Sequence, residues 1–214
     1  MSDKIKLDII SDVVCPWCIV GYKHLEAAIN ELGLQDSVEI EWQPFELNSD
    51  MPPEGEELRA HVLRKYGAQR EDSDKARAHI SALGAEYGFE FDYFDGMKIV
   101  NTRDAHVLLD YAHEQGLQNE LKQRLFAAFF TEHKDVSDRA VLLAEAQSVG
   151  LDTAAATLAL DDSERRSRVV SQEQQWQRQG VSGVPTVIFN RRSAMTGAQP
   201  QATYKEVLQE LAGL

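Results

Sequence analysis

Cysteine is nearly absent: the 214-residue chain holds two, Cys15 and Cys18. One pair cannot be the disulfide framework of a chain this long, because folds built on disulfides are small and dense in cysteine. Positive charge is also scarce, with 22 Lys and Arg against 35 Asp and Glu and a formal net charge of −13. Phosphate backbones require a basic footprint, so a nucleic-acid partner is excluded. The short basic groups, Arg165, Arg166 and Arg168 in a polar helix and Arg191–Arg192 in a turn, are expected to be solvated faces. Long apolar runs are missing as well; none approaches the ~18 residues of a membrane span, so no membrane partner is expected. The stretch MSDKIKLDII lacks the apolar core and small-residue cleavage site of a secretory signal and leads straight into a strand. A cytoplasmic location is therefore expected.

What is present is an ordinary globular composition, 43% hydrophobic and 27% charged. A chain of this length can bury a core as one large domain or as a domain carrying an insertion. Residues 4–10, KIKLDII, read as a strand, and residues 38–44, VEIEWQP, alternate with Val38, Ile40 and Trp42 on one face, as a second strand does. Between them Tyr22, Leu25, Ile29 and Leu32 recur at helical steps up to Gly33. Strand, helix, strand at these lengths predicts a βαβ unit with parallel strands.

From about Pro53 to Gly180 the periodicity is helical, with candidate helices at 54–66, 72–87, 103–115, 117–133, 138–149 and 161–179. Thr102 or Asn101 is placed to cap the third of these, and Phe126, Phe129 and Phe130 are expected in the core. After Gly180 the strand pattern returns in VPTVIFN and SAMTG, joined by a turn at RRS. A final helix is expected to bury Tyr204, Val207, Leu208 and Leu211.

Extending the stripe of the first helix back by one step reaches Cys18, which should face inward. Cys15 falls at the helix N-terminus, where unpaired backbone N–H groups and the helix dipole favour negative charge. Its thiol is therefore expected below the free value of about 8.5. Pro16 at the first helical position loses nothing, since its N–H would have had no partner. An exposed Cys15 that attacks and a shielded Cys18 that resolves would divide thiol exchange between them. Zinc is the rival reading, but C-x₂-C supplies only half of a tetrahedral set. The six histidines, His24, His61, His79, His106, His113 and His133, contain no H-x₃₋₅-H pair to complete it. A purely structural staple would close almost no loop. In GVSGVPTV, Pro185 stands at the entrance of a strand, where either a cis bond beside a site or a trans strand-leading proline would serve.

CPWC after a first strand and SGVPT before a late hairpin resemble the thioredoxin superfamily, and the long helical insertion resembles its DsbA branch. WQPFELN at 42–48, MKIVNTRDAH at 97–106 and TGAQP at 196–200 resemble the cytoplasmic FrnE-type subfamily. The resemblance covers essentially the whole chain. It implies an α/β thioredoxin-like fold, βαβ…ββα, split by a large all-helical insertion: residues 1–48 and 178–214 form the thioredoxin-like domain and 49–177 the insertion. It implies a redox-active Cys15–Cys18 pair, a cis bond between Val184 and Pro185, and pairing of the Val184 backbone with an extended substrate. Pro16 and Trp17 would border that substrate, Trp17 as an exposed contact surface. His106 is a further candidate, for substrate binding or for tuning Cys15.

The implied activity is thiol–disulfide oxidoreductase or isomerase, acting on protein or peptide disulfides. No cofactor is required, and glutathione is available to such a site as a reductant. The same branch includes glutathione-dependent isomerases and kappa-class glutathione transferases, which generally carry serine at the nucleophile position; cysteine at both positions here favours disulfide exchange. Oligomeric state is left open, a homodimer among the options.

Overall fold

A computed structural model describes residues 4–214. Strand β1 (Ile5–Ser11) leads through a short loop into helix α1 (Pro16–Glu31), which returns to β2 (Val38–Pro44). β1 and β2 are parallel, in register from Ile5↔Val38 to Ser11↔Pro44. Much later come β5 (Thr186–Phe189), β6 (Ser193–Thr196) and the last helix α9 (Gln201–Ala212). β5 runs antiparallel to both β1 and β6, so the sheet order is β2-β1-β5-β6. β1 is an inner strand whose Leu7, Ile9 and Ile10 are all buried, together with the polar Asp8 and Ser11. The outer edge of β2 is closed by Gln118, whose side chain accepts from the Trp42 N–H and donates to the Trp42 carbonyl, each at 2.9 Å.

Between β2 and β5 lie helices α2 (Leu58–Tyr66), α3 (Arg70–Glu86), α4 (Arg103–Glu114), α5 (Gln118–Phe130), α6 (Arg139–Ser148), α7 (Thr153–Asp161) and α8 (Ser163–Arg178). The insertion is not all helical. Residues 56–57, expected as the start of a helix, form strand β3 (Glu56–Glu57) against β4 (Lys98–Ile99). Gly55 makes this possible: its φ is +68°, and a Cβ there would meet the Ile99 carbonyl oxygen at 2.7 Å.

Helix α7 was not expected. Its alanine-rich sequence buries only Ala156, Ala159 and Leu160, a stripe too small to register as a strong apolar period. Asp152 caps it by accepting from the Ala155 N–H at 2.7 Å, and Asp162 ends it while capping α8. At the start of α4 it is Asn101 that accepts from the Arg103 N–H, at 3.0 Å, while the Thr102 side chain makes no cap bond.

The phenylalanine group of α5 is buried as expected, and α9 buries Tyr204 and Leu208. Val207 is only half-buried and Leu211 is exposed, because α9 meets the body along a narrower stripe than its sequence offers. Of the three α8 arginines expected as a solvated face, Arg168 is exposed, Arg166 is half-buried and Arg165 is buried. Arg165 and Arg168 both bind Asp110 and Glu114, and Arg166 binds Asp104, tying α8 to α4. Among the described residues no helix is long and apolar enough to cross a membrane.

Candidate active site

The loop after β1 ends in Cys15, the N-cap of α1, with extended backbone (φ −96°, ψ 110°) and Pro16 at the first helical position. Its N–H donates to the Asp12 carbonyl at 3.2 Å, and the Cys18 N–H donates to the Cys15 carbonyl at 3.1 Å, which fixes both cysteines on the first turn. Both are free thiols. Cys18 is fully buried, as its place on the stripe predicts.

Cys15, expected to be exposed, is only 4% exposed. The reason is the loop before β5: the Cys15 thiol points at the Val184 carbonyl oxygen, 3.9 Å away. The Val184–Pro185 peptide bond is cis. Pro185 itself is buried, Val184 and Pro16 are half-buried, and Trp17 stands 39% exposed beside His79.

The acidity of Cys15 also differs from the simple helix-end expectation, because the two sulfurs share a hydrogen bond. That bond to Cys18 is the largest influence pushing Cys15 well above the ordinary thiol range, followed by burial and the charge of Cys18. Cys18 is brought below it: burial opposes ionisation most strongly, but the bonds from Cys15 and Ser11 and the charge of Lys122 together prevail. The pair gives up its first proton more readily and its second less readily than separate thiols would, and both steps belong to the pair.

Behind the cysteines lies a buried polar cluster. His106, the candidate for substrate binding or for tuning Cys15, is 3% exposed. Its Nε2 donates to the Phe45 carbonyl at 3.1 Å and to Asp12 Oδ1 at 3.3 Å. Both partners lie outside its own helix, Asp12 in the loop before α1 and Phe45 just after β2. Asp12 Oδ2 accepts from the Leu47 N–H at 2.8 Å. Burial pushes the Asp12 carboxyl up, but His106, the Leu47 N–H and Lys122 outweigh it and hold it below the usual carboxylate range.

Neither Asp12 nor Lys122 was singled out in the sequence. Lys122 carried a signal, since it falls in helical phase with Phe126 and Phe129, a position where a solvated lysine would not sit. Among the described residues no group of three or more His, Cys, Asp or Glu is placed to hold a metal.

In front of the cysteines an apolar cavity of about 270 Å³ opens beside Val14 and Pro16, walled by Leu58, Tyr66, Ile80 and Phe130. The turn that carries the cysteines thus borders, through Val14 and Pro16, a concave apolar surface supplied by α2, α3 and α5.

Residues 6–209 match the family model of the DSBA-like thioredoxin domain. The chain is 26% identical over 211 residues to the uncharacterized protein YwbO of Bacillus subtilis, with 96% of each chain covered. It is similar to a crystal structure described as a probable DsbA oxidoreductase from Streptomyces coelicolor: 27% identity, TM-score 0.91, 98% of this chain and 90% of that one. It also shares the fold of the cytosolic disulfide reductase DsbM from Pseudomonas aeruginosa, solved with GSH: 19% identity, TM-score 0.66, 98% of this chain and 100% of that one. The chain belongs to the DSBA-like thioredoxin domain family.

Proposed function

We propose that this member of the DsbA-type family is a cytoplasmic thiol–disulfide oxidoreductase or isomerase of the FrnE-type subfamily, with protein or peptide disulfides as substrates. The observation that carries the reading is the meeting of Cys15, at the N-terminus of α1, with the backbone of Val184, which is brought there from the far end of the chain.

An extended substrate segment lies along Val184 and Pro185, with Trp17 and Pro16 at its border and an apolar side chain in the adjoining cavity. Thiolate character on Cys15 breaks the substrate disulfide: a Cys15–substrate S–S bond forms, and the departing sulfur leaves with the electron pair and takes a proton. Cys18 then attacks the Cys15 sulfur. The Cys15–Cys18 bond forms, the substrate leaves as its second thiol, and two electrons have passed from the pair to the substrate. Run backwards, the same steps oxidise a substrate dithiol, and both directions together isomerise disulfides. Glutathione is a fitting reductant for the oxidised pair. The exchange needs the thiolate on Cys15, where the N–H groups of the helix end can receive it even though Cys18 and burial oppose its ionisation at rest.

The test is turnover of a disulfide-bonded peptide with glutathione as the electron source. Wild type should turn over, Cys15→Ala should be inactive, and Cys18→Ala should stall after one exchange. Activity on a small electrophile that needs glutathione and survives Cys18→Ala would replace this reading with a glutathione-dependent isomerase or transferase. Unchanged activity without either cysteine would remove redox chemistry altogether.

A further inference from the structure

Arg77 is a charge on the inward stripe of a helix. The residues that α3 buries are Ser73, Ile80 and Gly84, and Arg77 falls in helical phase with them. It is half-buried, with its guanidinium 5.6 Å from the centre of the Tyr93 ring. Its Nη2 is shut off from water and has no hydrogen-bond partner among the described residues. A ring face compensates a desolvated cation only in part.

The charges around Arg77 leave that nitrogen without an acceptor. Asp74 and Glu57 attract the guanidinium from a distance and Arg59 repels it. Asp74 is bound by Arg59 at 2.6 Å, and Glu57 caps α2 by accepting from the Ala60 N–H at 2.8 Å. Asp72, the one acid on the same cavity wall as Arg77, is exposed to solvent.

That wall belongs to the apolar cavity of about 270 Å³ that also includes Val14 and Pro16, the residues on either side of Cys15. The volume is at the small end for a ligand site. A small apolar space beside a nucleophile therefore carries a single guanidinium in want of an acceptor. A carboxylate matches a guanidinium in both charge and planar geometry.

We propose that this cavity binds a small disulfide whose apolar body ends in a carboxylate, with the body against the apolar walls, the carboxylate on Arg77 and the disulfide at Cys15. The proposal extends the substrates beyond peptides; its chemistry rests on the reading of Cys15 and Cys18 as a redox pair, and its binding does not. Cys15 attacks one ligand sulfur. A Cys15–ligand bond forms, the ligand S–S bond breaks, and the other ligand sulfur leaves with the electron pair and takes a proton. Cys18 then attacks the Cys15 sulfur, the Cys15–Cys18 bond forms, and the first ligand sulfur departs as a thiol. Two electrons and two protons have passed to the ligand, and glutathione restores the pair. Arg77 touches the far end of the ligand and sets specificity, away from the reacting sulfurs.

Octanoate and octanamide, which differ in the head group and carry no sulfur, test the binding. In calorimetry on the wild-type protein, octanoate should bind roughly tenfold more tightly than octanamide. Arg77→Met should erase this preference, and Arg77→Lys, which keeps the charge without the fork, should retain part of it. Equal wild-type affinities, binding of neither probe, or a preference that survives Arg77→Met would overturn the proposal. Lipoate and lipoamide, cyclic disulfides on the same apolar chain, test the chemistry. The ratio of their kcat/KM values should favour lipoate by a similar factor in wild type and fall to near one in Arg77→Met. A wild-type ratio near one would overturn the substrate assignment. Failure of the redox reading looks different: octanoate would still bind in preference to octanamide, but neither lipoate, lipoamide nor a peptide disulfide would turn over.

Discussion

Cys15 Sγ lies 3.9 Å from the carbonyl oxygen of Val184, although 169 residues separate them in sequence. The sheet accounts for this meeting. β1 delivers Cys15 at its C-terminal end, and β5, paired antiparallel beside it, begins where Val184 and Pro185 end. Anything that separates these two segments should change thiol chemistry before it changes the rest of the fold.

Gly21 tests that link. A Cβ at this position of α1 would approach Pro185 Cγ to 3.1 Å and Ala198 Cα to 3.2 Å. Gly21→Val should cost about 1–3 kcal/mol through overpacking. It should also push the Pro185 loop off the cysteines, so that Cys15 alkylates faster as the melting temperature falls. Unchanged alkylation would mean that the loop does not shelter Cys15.

The division of labour between the cysteines has its own signature. Cys18 is fully buried, whereas Cys15 keeps 4% exposure at the start of α1. Cys18→Ala should therefore accumulate reducible mixed disulfides on Cys15, seen as high-mass bands on a non-reducing gel. Cys15→Ala should show few. Equal trapping in both variants would reverse or abolish the assigned roles.

Lys122 makes a prediction about stability that is separate from redox. Its proton affinity drops from 10.5 in the unfolded chain to about 8 in the fold, with burial as the main cause. The folded state therefore binds fewer protons between those values, and stability gains as pH rises through that window. Below pH 8 the buried ammonium costs on the order of 3 kcal/mol. Lys122→Met should be more stable than wild type by a figure of this size at pH 7, with the gap closing toward pH 10.5. Urea unfolding at both pH values measures it, and an equal gap at both would refute the burial argument.

Asp12 behaves in the opposite sense. Its folded value is depressed, so the stability it contributes is fully present above its unfolded value of ~3.9 and is lost as pH falls through the lower folded value. Asp12→Asn should cost about 1–3 kcal/mol at pH 7, because His106 and the Leu47 N–H lose a charged acceptor. The penalty should shrink in strong acid. A deficit that does not vary with pH would place its origin in packing.

Arg165 is predicted to stabilise the α4–α8 contact. Its side chain is 10% exposed and bridges Asp110 and Glu114. Arg165→Ala should cost about 1–3 kcal/mol, tempered by the exposure of Glu114. Thermal unfolding reads the loss, and a change within ~0.5 kcal/mol, as for an ordinary surface site, would refute it.

Much of this architecture was legible in the sequence because it rests on local signals. Alternation marked β1 and β2, helical phase marked α1 and turned Cys18 inward, and CPWC with SGVPT pointed to the family. What was missed depends on partners distant in sequence. Arg165 reads as a solvated residue until Asp110 is known to face it. His106 reads as a candidate to bind substrate or tune Cys15, and its bonds to the Phe45 carbonyl and Asp12 are not visible in the sequence. The acidity of Cys15 cannot be inferred from its helix end alone, because burial and the nearness of Cys18 act against that end.

The order of strands along the chain also bears on biosynthesis. β1 is the central strand, yet β5, its neighbour on one side, spans Thr186–Phe189 and so emerges from the ribosome late. At about 5–20 residues per second, the 169 residues between Cys15 and Val184 take on the order of ten seconds to synthesise. Throughout that interval the nascent chain carries both thiols without the loop that later covers them. Each new molecule thus passes through a period in which its two thiols lie open, and the pairing of β5 with β1 brings Val184 over Cys15 only at the end.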